Sequence, residues 1–226
     1  MTQEYIFEDS LVRIDKTISA PVPDHIDVSL PGLNEIDPSR IYRVNAAVMF
    51  VNFHLDFNSI FPLNVENNST LLSFVSEAIK IGRSNPKCRD ITVGHNIIMF
   101  VYDTPFKADL ETMLDDSAKI RTLAMIVSQK MHTKGYCKLI TNIGIDYGAT
   151  TMLPVEITPS LCQFIWNGPT VSKAKDFSEK GHDYINITHT VWQNLDEKRQ
   201  EMFVKVEQNL YQGQIINIMM NNWLTK

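Results

Sequence analysis

The sequence has few cysteines, and their number and spacing exclude two ways of stabilising a fold. Its three cysteines are Cys88, Cys137 and Cys162, and no two of them form a Cys-x-x-Cys pair. An odd number at such wide spacing offers neither a disulfide framework nor a zinc site. We therefore expect reduced thiols in a chain that folds around a hydrophobic core, for which an apolar fraction of 44% is sufficient.

The sequence also lacks long apolar runs and an excess of positive charge. No apolar run approaches the roughly 18 residues that a membrane helix needs, and the acidic start MTQEYIFEDS does not resemble a signal peptide. A net charge of −5 argues against the basic face of a nucleic-acid-binding protein. Glycine-rich phosphate motifs and the His-Glu-x-x-His metal motif are absent too. We expect a cytoplasmic protein that binds neither nucleic acid nor membranes.

What the sequence does contain is a buried strand that ends in polar residues. The stretch from Ile41 to Phe57 reads IYRVNAAVMFVNFHLDF, and its apolar run predicts a strand buried on both faces. Three polar residues then alternate with three apolar ones, in the order Asn52, Phe53, His54, Leu55, Asp56, Phe57. Rigid elements of this kind commonly carry functional sites.

A second stretch, ITVGHNIIMFVYDT from Ile91 to Thr104, predicts a β-hairpin. Its two apolar runs flank the turn Gly94-His95-Asn96, as expected for a short connection between strands. If this hairpin lies beside the first strand, Asn52 and Asn96 could face each other across one cleft.

The rest of the chain predicts alternating helices and hairpins. Four prolines in residues 1–40 indicate an irregular arm, in which Leu11 to Ile18 could form a short helix or a docking segment. Apolar spacing predicts a helix over Ser69 to Ile81, capped by Asn68 or Ser69, and a long helix over Lys107 to Lys134, ended by Gly135. Further elements are predicted as a hairpin of 138–147 and 149–157 about Gly148, a strand 161–166, a helix 169–180 ended by Gly181, a strand 184–188, and helices 189–196 and 197–212.

This order predicts an α+β fold with a ferredoxin-like mixed sheet, because hairpins between the helices prevent an all-parallel sheet. The predicted core domain covers residues 41–196. An N-terminal arm, 1–40, and a C-terminal helical extension, 197–226, flank it.

Several motifs in this order resemble a class III nucleotidyl cyclase domain, and in particular the bacterial pyrimidine cyclases of the Pycsar antiphage system. The first strand AAVMFVNFHLD stands where the family has an apolar strand ending in FxDIRGS. The other similar segments are VRID at 12–15, IIMFVYDTPFKADLE after the hairpin turn, GIDYG at 144–148, and IWNGPTVSKAKDF at 165–177.

The resemblance implies two metal positions, and both hold asparagine here. Family cyclases hold two divalent ions with two aspartates, one at the end of the first strand and one at the hairpin turn. These positions match Asn52 and Asn96, with His95 where a glycine is usual. Asparagine lacks the carboxylate charge on which Mg²⁺ and Mn²⁺ depend. Mn or Mg is therefore expected only if the protein is active.

The resemblance also implies phosphate-binding and transition-state residues, which are changed as well. A small glycine-containing loop is replaced by His54-Leu55-Asp56, and the family's asparagine and basic residue fall at Ser172 and Asp176. By the same comparison, the positions around a nucleotide pocket would be Phe53, His54, Leu55, Asp56, His95, Tyr147, Trp166 and Lys175. Asp146-Tyr147 is in the first place a hairpin turn between glycines.

Two other metal arrangements are compatible with the sequence. Asp56 and Asp103 could supply displaced carboxylates for one ion, or His54 and His95 could form a transition-metal site with Asn52 or Asp56. The alternative is that these residues are ordinary polar groups.

Two functions from different classes follow. The first is a non-catalytic homologue, a homodimer or the partner of an effector or a true cyclase, that binds a pyrimidine nucleotide or serves as an interaction module. The second is an active cyclase that makes cyclic UMP or cyclic CMP from UTP or CTP with a rearranged site. A structural protein that shares the fold by chance is a third.

Overall fold

The computed structural model describes residues 7–19, 21, 26–56, 65–135, 137–158 and 161–223. In these residues eight strands form one sheet. The strands are β1 (Tyr42–Asp56), β2 (Cys88–Gly94), β3 (Ile97–Tyr102), β4 (Lys138–Thr158), β5 (Leu161–Asn167), β6 (Ile185–Thr188), β7 (Val204–Glu207) and β8 (Leu210–Gly213). The helices are α1 (Phe7–Ile18), α2 (Val65–Ser84), α3 (Lys107–His132), α4 (Pro169–Ser178), α5 (His189–Gln193), α6 (Glu197–Gln200) and α7 (Ile218–Asn221), with a 3-10 turn at Leu33–Glu35.

The sheet is mixed, as the sequence predicts. Its strands follow the order β2-β3-β1-β4-β6-β8-β7, and β5 pairs with the outer part of β4. Only β4 and β6 run parallel; the other pairs are antiparallel. The predicted α+β class is therefore confirmed, and β1 lies at the centre of the sheet between β3 and β4.

Successive residues of β1 point to opposite faces of the sheet, and both faces are covered. On one face, Met49, Val51 and Phe53 belong to a core that includes buried residues of α2 and α3. On the other, Val48 and Phe50 pack against Ala174 of α4. We call these the α2/α3 face and the α4 face. The predicted burial of β1 on both faces is thus observed, with no side-chain exposure at any residue from Ala46 to Met49.

Helix α4 rests directly on β4 at Gly144. A Cβ atom built at Gly144 would overlap the backbone oxygen of Ala174 and the backbone nitrogen of Ser178. Gly148, four residues further along the same face, would place a Cβ only 3.0 Å from Thr170 Oγ1. The two glycines of GIDYG therefore let the helix approach the strand, which no larger residue at Gly144 would allow.

The arm before β1 is tied to the domain at the end of the sheet where β1 begins. Asp27 N donates to Arg43 O at 2.8 Å, and Asn45 N donates to Asp27 O at 2.8 Å. Further along, Leu30 N donates to Asp103 Oδ1 at 3.0 Å. The described part of the arm has no element longer than the 3-10 turn after α1, as its prolines predict.

The second hairpin differs from its prediction. β4 is one continuous strand of 21 residues, and the chain reverses only after Thr158, to pair as β5. Gly148 does not form a turn because it lies in the ladder opposite Ala46. Gly148 allows α4 to pack closely on the strand. The predicted turn at Gly148 is wrong because it relied on the usual association of glycine with turns.

The helix predicted over residues 197–212 is also wrong. Only α6 is helical there, and β7 and β8 form a hairpin. β8 pairs with β6 through Thr188 and Leu210, so these residues extend the same sheet. The alternation of Val204 and Val206 with charged residues is a strand pattern that a helical interpretation overlooked. α2 also begins earlier than predicted, at Val65, so neither Asn68 nor Ser69 is its N-cap.

Replacing Gly144 by alanine should unfold the domain more easily, because the backbone of α4 must move to admit the methyl group. We expect Gly144→Ala to lower the free energy of unfolding by about 3 kcal/mol or more, measured by urea denaturation. Gly94→Ala is the matched control: its Cβ would lie 3.2 Å from a movable Ile97 methyl, and the change should stay within about 1 kcal/mol. Equal effects of the two variants would contradict the close packing of α4.

Candidate functional site

The two asparagines at the predicted metal positions lie next to each other where β1 meets β3. Asn52 is half-buried and is the Cα partner of Ile97, the first residue of β3. Asn96 immediately precedes Ile97 and adopts φ 57°, a left-handed conformation that asparagine tolerates in tight turns. Its backbone oxygen accepts a hydrogen bond from Phe53 N at 3.0 Å. The sequence-based expectation that the hairpin lies beside the first strand is correct.

The four residues after Asn52 continue the strand and form no loop. β1 remains paired with β4 as far as Asp56, whose Cα partner is Lys138. Phe53 and Leu55 point to the α2/α3 face and are buried in the main core, where the rings of Phe53 and Phe74 lie 5.5 Å apart. Phe53 and Leu55 therefore form part of the core, on the opposite face of the sheet from Asn52.

His54 and Asp56 share the α4 face with Asn52. Both are half-buried, and the His54 ring centroid lies 6.5 Å from that of His182, in the segment after α4. Asn142 on β4, the cross-strand partner of Asn52, donates its amide to Gly181 O at 2.7 Å and thereby fixes that segment. Of the predicted pocket residues, His54 and Asp56 are the ones that follow Asn52 on the same face of β1.

The remaining predicted pocket residues are dispersed. His95 is exposed in the hairpin turn. Tyr147 packs against the main core on the α2/α3 face, and burial raises the pKa of its hydroxyl. Trp166 is buried, and its indole N–H donates to Asp90 Oδ2 at 2.7 Å. Lys175 is exposed and pairs with Glu179 at 3.0 Å. The structure does not bring these four together in one chain.

The predicted transition-state positions lie on the outer side of α4. Ser172 and Asp176 are both exposed and lie four residues apart, so they share the face of the helix that points away from β4. The buried side consists of Thr170, Ala174, Phe177 and Ser178. Both side chains are therefore accessible to solvent on the surface of the described chain.

Neither alternative metal arrangement is supported. Tyr102 pairs with Ala47, nine residues before Asp56, so Asp103 and Asp56 are separated by about 30 Å along the strands. Asp103 also pairs with Arg89 at 3.6 Å. Among the described residues, no group of three or more His, Cys, Asp or Glu side chains could hold a metal ion. The donors around Asn52 and Asn96 do not fit the two divalent ions that the fold family implies.

The structure also reveals a buried acid that the sequence interpretation placed in a turn. Asp146 lies on the α4 face of β4, between Gly144 and Gly148, and only 3% of it is exposed. Thr188 Oγ1 donates to its Oδ1 at 2.5 Å. Burial raises the pKa of Asp146, while the Thr188 hydroxyl, the Tyr147 amide and the Lys173 ammonium act in the opposite direction. Its position midway between two glycines on one strand face was the available signal.

An apolar concavity near this end of the sheet does not involve the predicted site residues. It has a volume of about 360 Å³ and lies between α3 and the first residues of β4, where Met125, Ser128, His132 and Leu139 line it. The backbone of Leu139 is satisfied there by the Ser128 hydroxyl, which donates at 2.6 Å and accepts at 3.0 Å.

Comparison with solved structures identifies the fold. The adenylyl cyclase CyaB from P. aeruginosa superposes with a TM-score of 0.61 at 19% identity, covering 76% of this chain and 95% of that one. The guanylyl cyclase Cya2 superposes with a TM-score of 0.61 at 12% identity, covering 78% and 94%. The chain thus has the class III nucleotidyl cyclase fold, as the resemblance of its motifs predicts.

Sequence comparison extends this similarity along the whole chain. A uridylate cyclase from Gulbenkiania mobilis is 22% identical over 252 residues, covering 98% of this chain and 96% of that protein. No family model matches the chain. Within the described residues, no helix has both the length and the apolar character to cross a membrane.

Asp146 should make stability depend on pH in a predictable direction. Its pKa is raised in the folded protein, so its stabilising contribution is complete below the pKa of the unfolded chain, near 4, and is lost as the pH rises through the folded pKa. We expect the free energy of unfolding of Asp146→Asn, relative to the unmodified protein, to increase between pH 4 and pH 7.

Urea denaturation at several pH values measures this difference. Asp176→Asn, at an exposed position of α4, is the control and should change stability by no more than about 0.5 kcal/mol. A relative stability of Asp146→Asn that falls with rising pH would show that the buried carboxylate stabilises the fold in its charged form.

Proposed function

We propose that this protein is a Pycsar-type cyclase homologue of antiphage defence in which two-metal catalysis has been lost, and that it acts as a nucleotide-binding or interaction module. One observation carries the proposal. The positions that correspond to the family's metal aspartates adjoin at the end of the β1–β3 pair and hold amides, Asn52 and Asn96. Uncharged amide oxygens are poor ligands for Mg²⁺ and Mn²⁺ without carboxylates beside them.

Two further features support this proposal. The positions of the family's phosphate loop are strand residues here, and they are paired with β4 up to Asp56. On α4 the transition-state positions hold a hydroxyl and a carboxylate, Ser172 and Asp176, and a carboxylate repels phosphate. Loss of a single electrostatic element of this kind typically reduces a rate by two to three orders of magnitude.

We further propose that the protein is a homodimer. The guanylyl cyclase domain of the RhoGC fusion protein from Blastocladiella emersonii superposes on this chain with a TM-score of 0.54 and has been solved both as a non-canonical dimer and as a monomer. The exposed position of Ser172 and Asp176, which face away from Asn52's own strand, fits a cleft completed by a second chain. A heterodimer with an active cyclase is less well supported, because both halves of the site are altered.

The second candidate is an active pyrimidine cyclase with a rearranged site. It is favoured by the similarity to a uridylate cyclase along 98% of the chain. It would require metal ligands other than Asn52 and Asn96, which the described residues do not offer as a cluster.

The decisive measurement is incubation of the purified protein with Mn²⁺ and each of the four ribonucleoside triphosphates, with products resolved by mass spectrometry. We expect no cyclic nucleotide above the level of a protein-free control. Titration with UTP or CTP in the presence of EDTA tests the nucleotide-binding role separately. Cyclic UMP or cyclic CMP from the unmodified protein would overturn the proposal and favour the active cyclase.

Restoring the two carboxylates tests the assignment of the metal positions. We expect Asn52→Asp/Asn96→Asp to bind Mn²⁺ at least tenfold more tightly than the unmodified protein, in calorimetric titration, because two charged oxygen ligands then adjoin. The control is Asn45→Asp/Asn194→Asp, which adds the same charge away from the β1–β3 end and should not change Mn²⁺ binding. Equal binding by the two double variants would show that Asn52 and Asn96 do not occupy a former metal site.

A further inference from the structure

The first residues of β4 form one wall of the apolar concavity beside α3, which we call the α3/β4 concavity. β6 pairs with β4 only from Ile143 onward, so within the described chain residues 138–142 have no strand on that side. Helix α3 lies beside this open edge, and the volume between them is about 360 Å³. Pockets of roughly 300–1,000 Å³ are of the size that binds small molecules.

The buried Ser128 makes this edge unsuitable for an added peptide strand. A peptide that extends a sheet needs free N–H and C=O groups on the edge strand. At Leu139 both groups are already bonded to the Ser128 hydroxyl, which accepts from Leu139 N at 3.0 Å and donates to Leu139 O at 2.6 Å. The α3/β4 concavity therefore fits a small molecule better than an extended peptide.

The floor of the concavity is apolar, and its rim carries hydrogen-bond donors that the fold does not use. Ala124 and Leu139 are buried in the floor. Gln129, His132 and Lys138 line the exposed rim. None of these three side chains forms a hydrogen bond or an ion pair with another described residue. The lining thus matches a ligand with an apolar body and a group that accepts hydrogen bonds.

The charges of the lining favour an anion. Lys138 supplies a positive charge, and in the described chain Asp56, its cross-strand partner, forms no ion pair with it. Among the described residues that line the concavity, Asp183 is the only acid. Its carboxylate accepts a hydrogen bond from the buried Arg121 Nη2 at 3.0 Å, so its charge is already neutralised. Lys138 is therefore available for the anionic group of a ligand.

We propose that the α3/β4 concavity binds a small molecule with an apolar body and one anionic group, which Lys138 and His132 hold at the rim. No predicted metal or transition-state position lines the concavity, so this inference does not rest on the proposed loss of catalysis. Ile140, which lines it, is the Cα partner of His54. A ligand in the concavity therefore contacts the strand pair that carries the candidate site.

Two fluorescent probes that differ only in charge test the proposal. Anilinonaphthalene sulfonate (ANS) has an apolar ring system and one sulfonate, and phenylnaphthylamine is the same ring system without the sulfonate. In fluorescence titrations of the unmodified protein, we expect ANS to bind at least about tenfold more tightly than phenylnaphthylamine, because charge-assisted hydrogen bonds form only with the sulfonate. Equal affinities for the two probes would overturn the proposal.

Variants assign the binding to this concavity. Lys138→Glu should weaken ANS binding by about tenfold or more and leave phenylnaphthylamine binding within about twofold, because the floor is unchanged. Lys134→Glu is the matched control: this exposed lysine lines a different depression, between α2 and α3, and ANS binding should stay within about twofold. Met125→Trp fills the concavity and should weaken the binding of both probes.

Two outcomes would contradict the assignment. They are an equal loss of ANS binding in Lys134→Glu and Lys138→Glu, and unchanged binding of both probes in Met125→Trp. Near-UV circular dichroism of each variant confirms that it is folded, since chains that have lost their tertiary packing also bind ANS.

Competition then identifies the apolar body of the ligand. Displacement of ANS by naphthoate assigns a ring system, displacement by decanoate assigns an acyl chain, and displacement by neither would refute the anionic ligand. These readouts do not involve cyclic nucleotide production, so a failure of this proposal is distinguishable from a failure of the proposed function.

Discussion

The contact between α4 and Gly144 is the constraint on which the arrangement of this domain depends. Because the helix backbone touches the strand, α4 covers the centre of the sheet and encloses Asp146 beneath it. The same contact determines which side of α4 faces inward, and hence that Ser172 and Asp176 face outward. The close contact at Gly144 thus fixes how Ser172 and Asp176 are oriented relative to the sheet.

The sequence was sufficient to predict elements whose pattern reflects burial. β1 carries apolar residues on both faces because it is central in the sheet, and the stripe of α3 faces the same core, so both are visible as composition and spacing. The turn at Asn96 was also predictable, since few residues other than glycine adopt a positive φ so readily. These features depend on the burial of each residue and on its backbone preferences, and both are reflected directly in the sequence pattern.

Features that depend on distant contacts were not predictable in this way. Gly148 suggests a turn, and only the presence of α4 explains why the strand continues through it. The hairpin of β7 and β8 is short, and its assignment depends on the free edge of β6. For the candidate site, the motifs predict that Asn52 and Asn96 are neighbours, and in the structure they are. The pocket residues predicted around them are dispersed. Phe53 and Leu55 point into the core because alternate residues of a strand face opposite sides of the sheet, which becomes clear only when β1 is known to extend to Asp56.

The extension of β1 to Asp56 bears on how this end of the sheet could bind a phosphate group. A phosphate-cradling loop requires several consecutive backbone amides that are free to converge on an anion. In residues 53–56 the pairing with β4 holds alternate amides to a neighbouring strand and directs the others away from them. A cradle of backbone amides at these positions would therefore require the end of β1 to separate from β4, whatever side chains stand at positions 52 and 96.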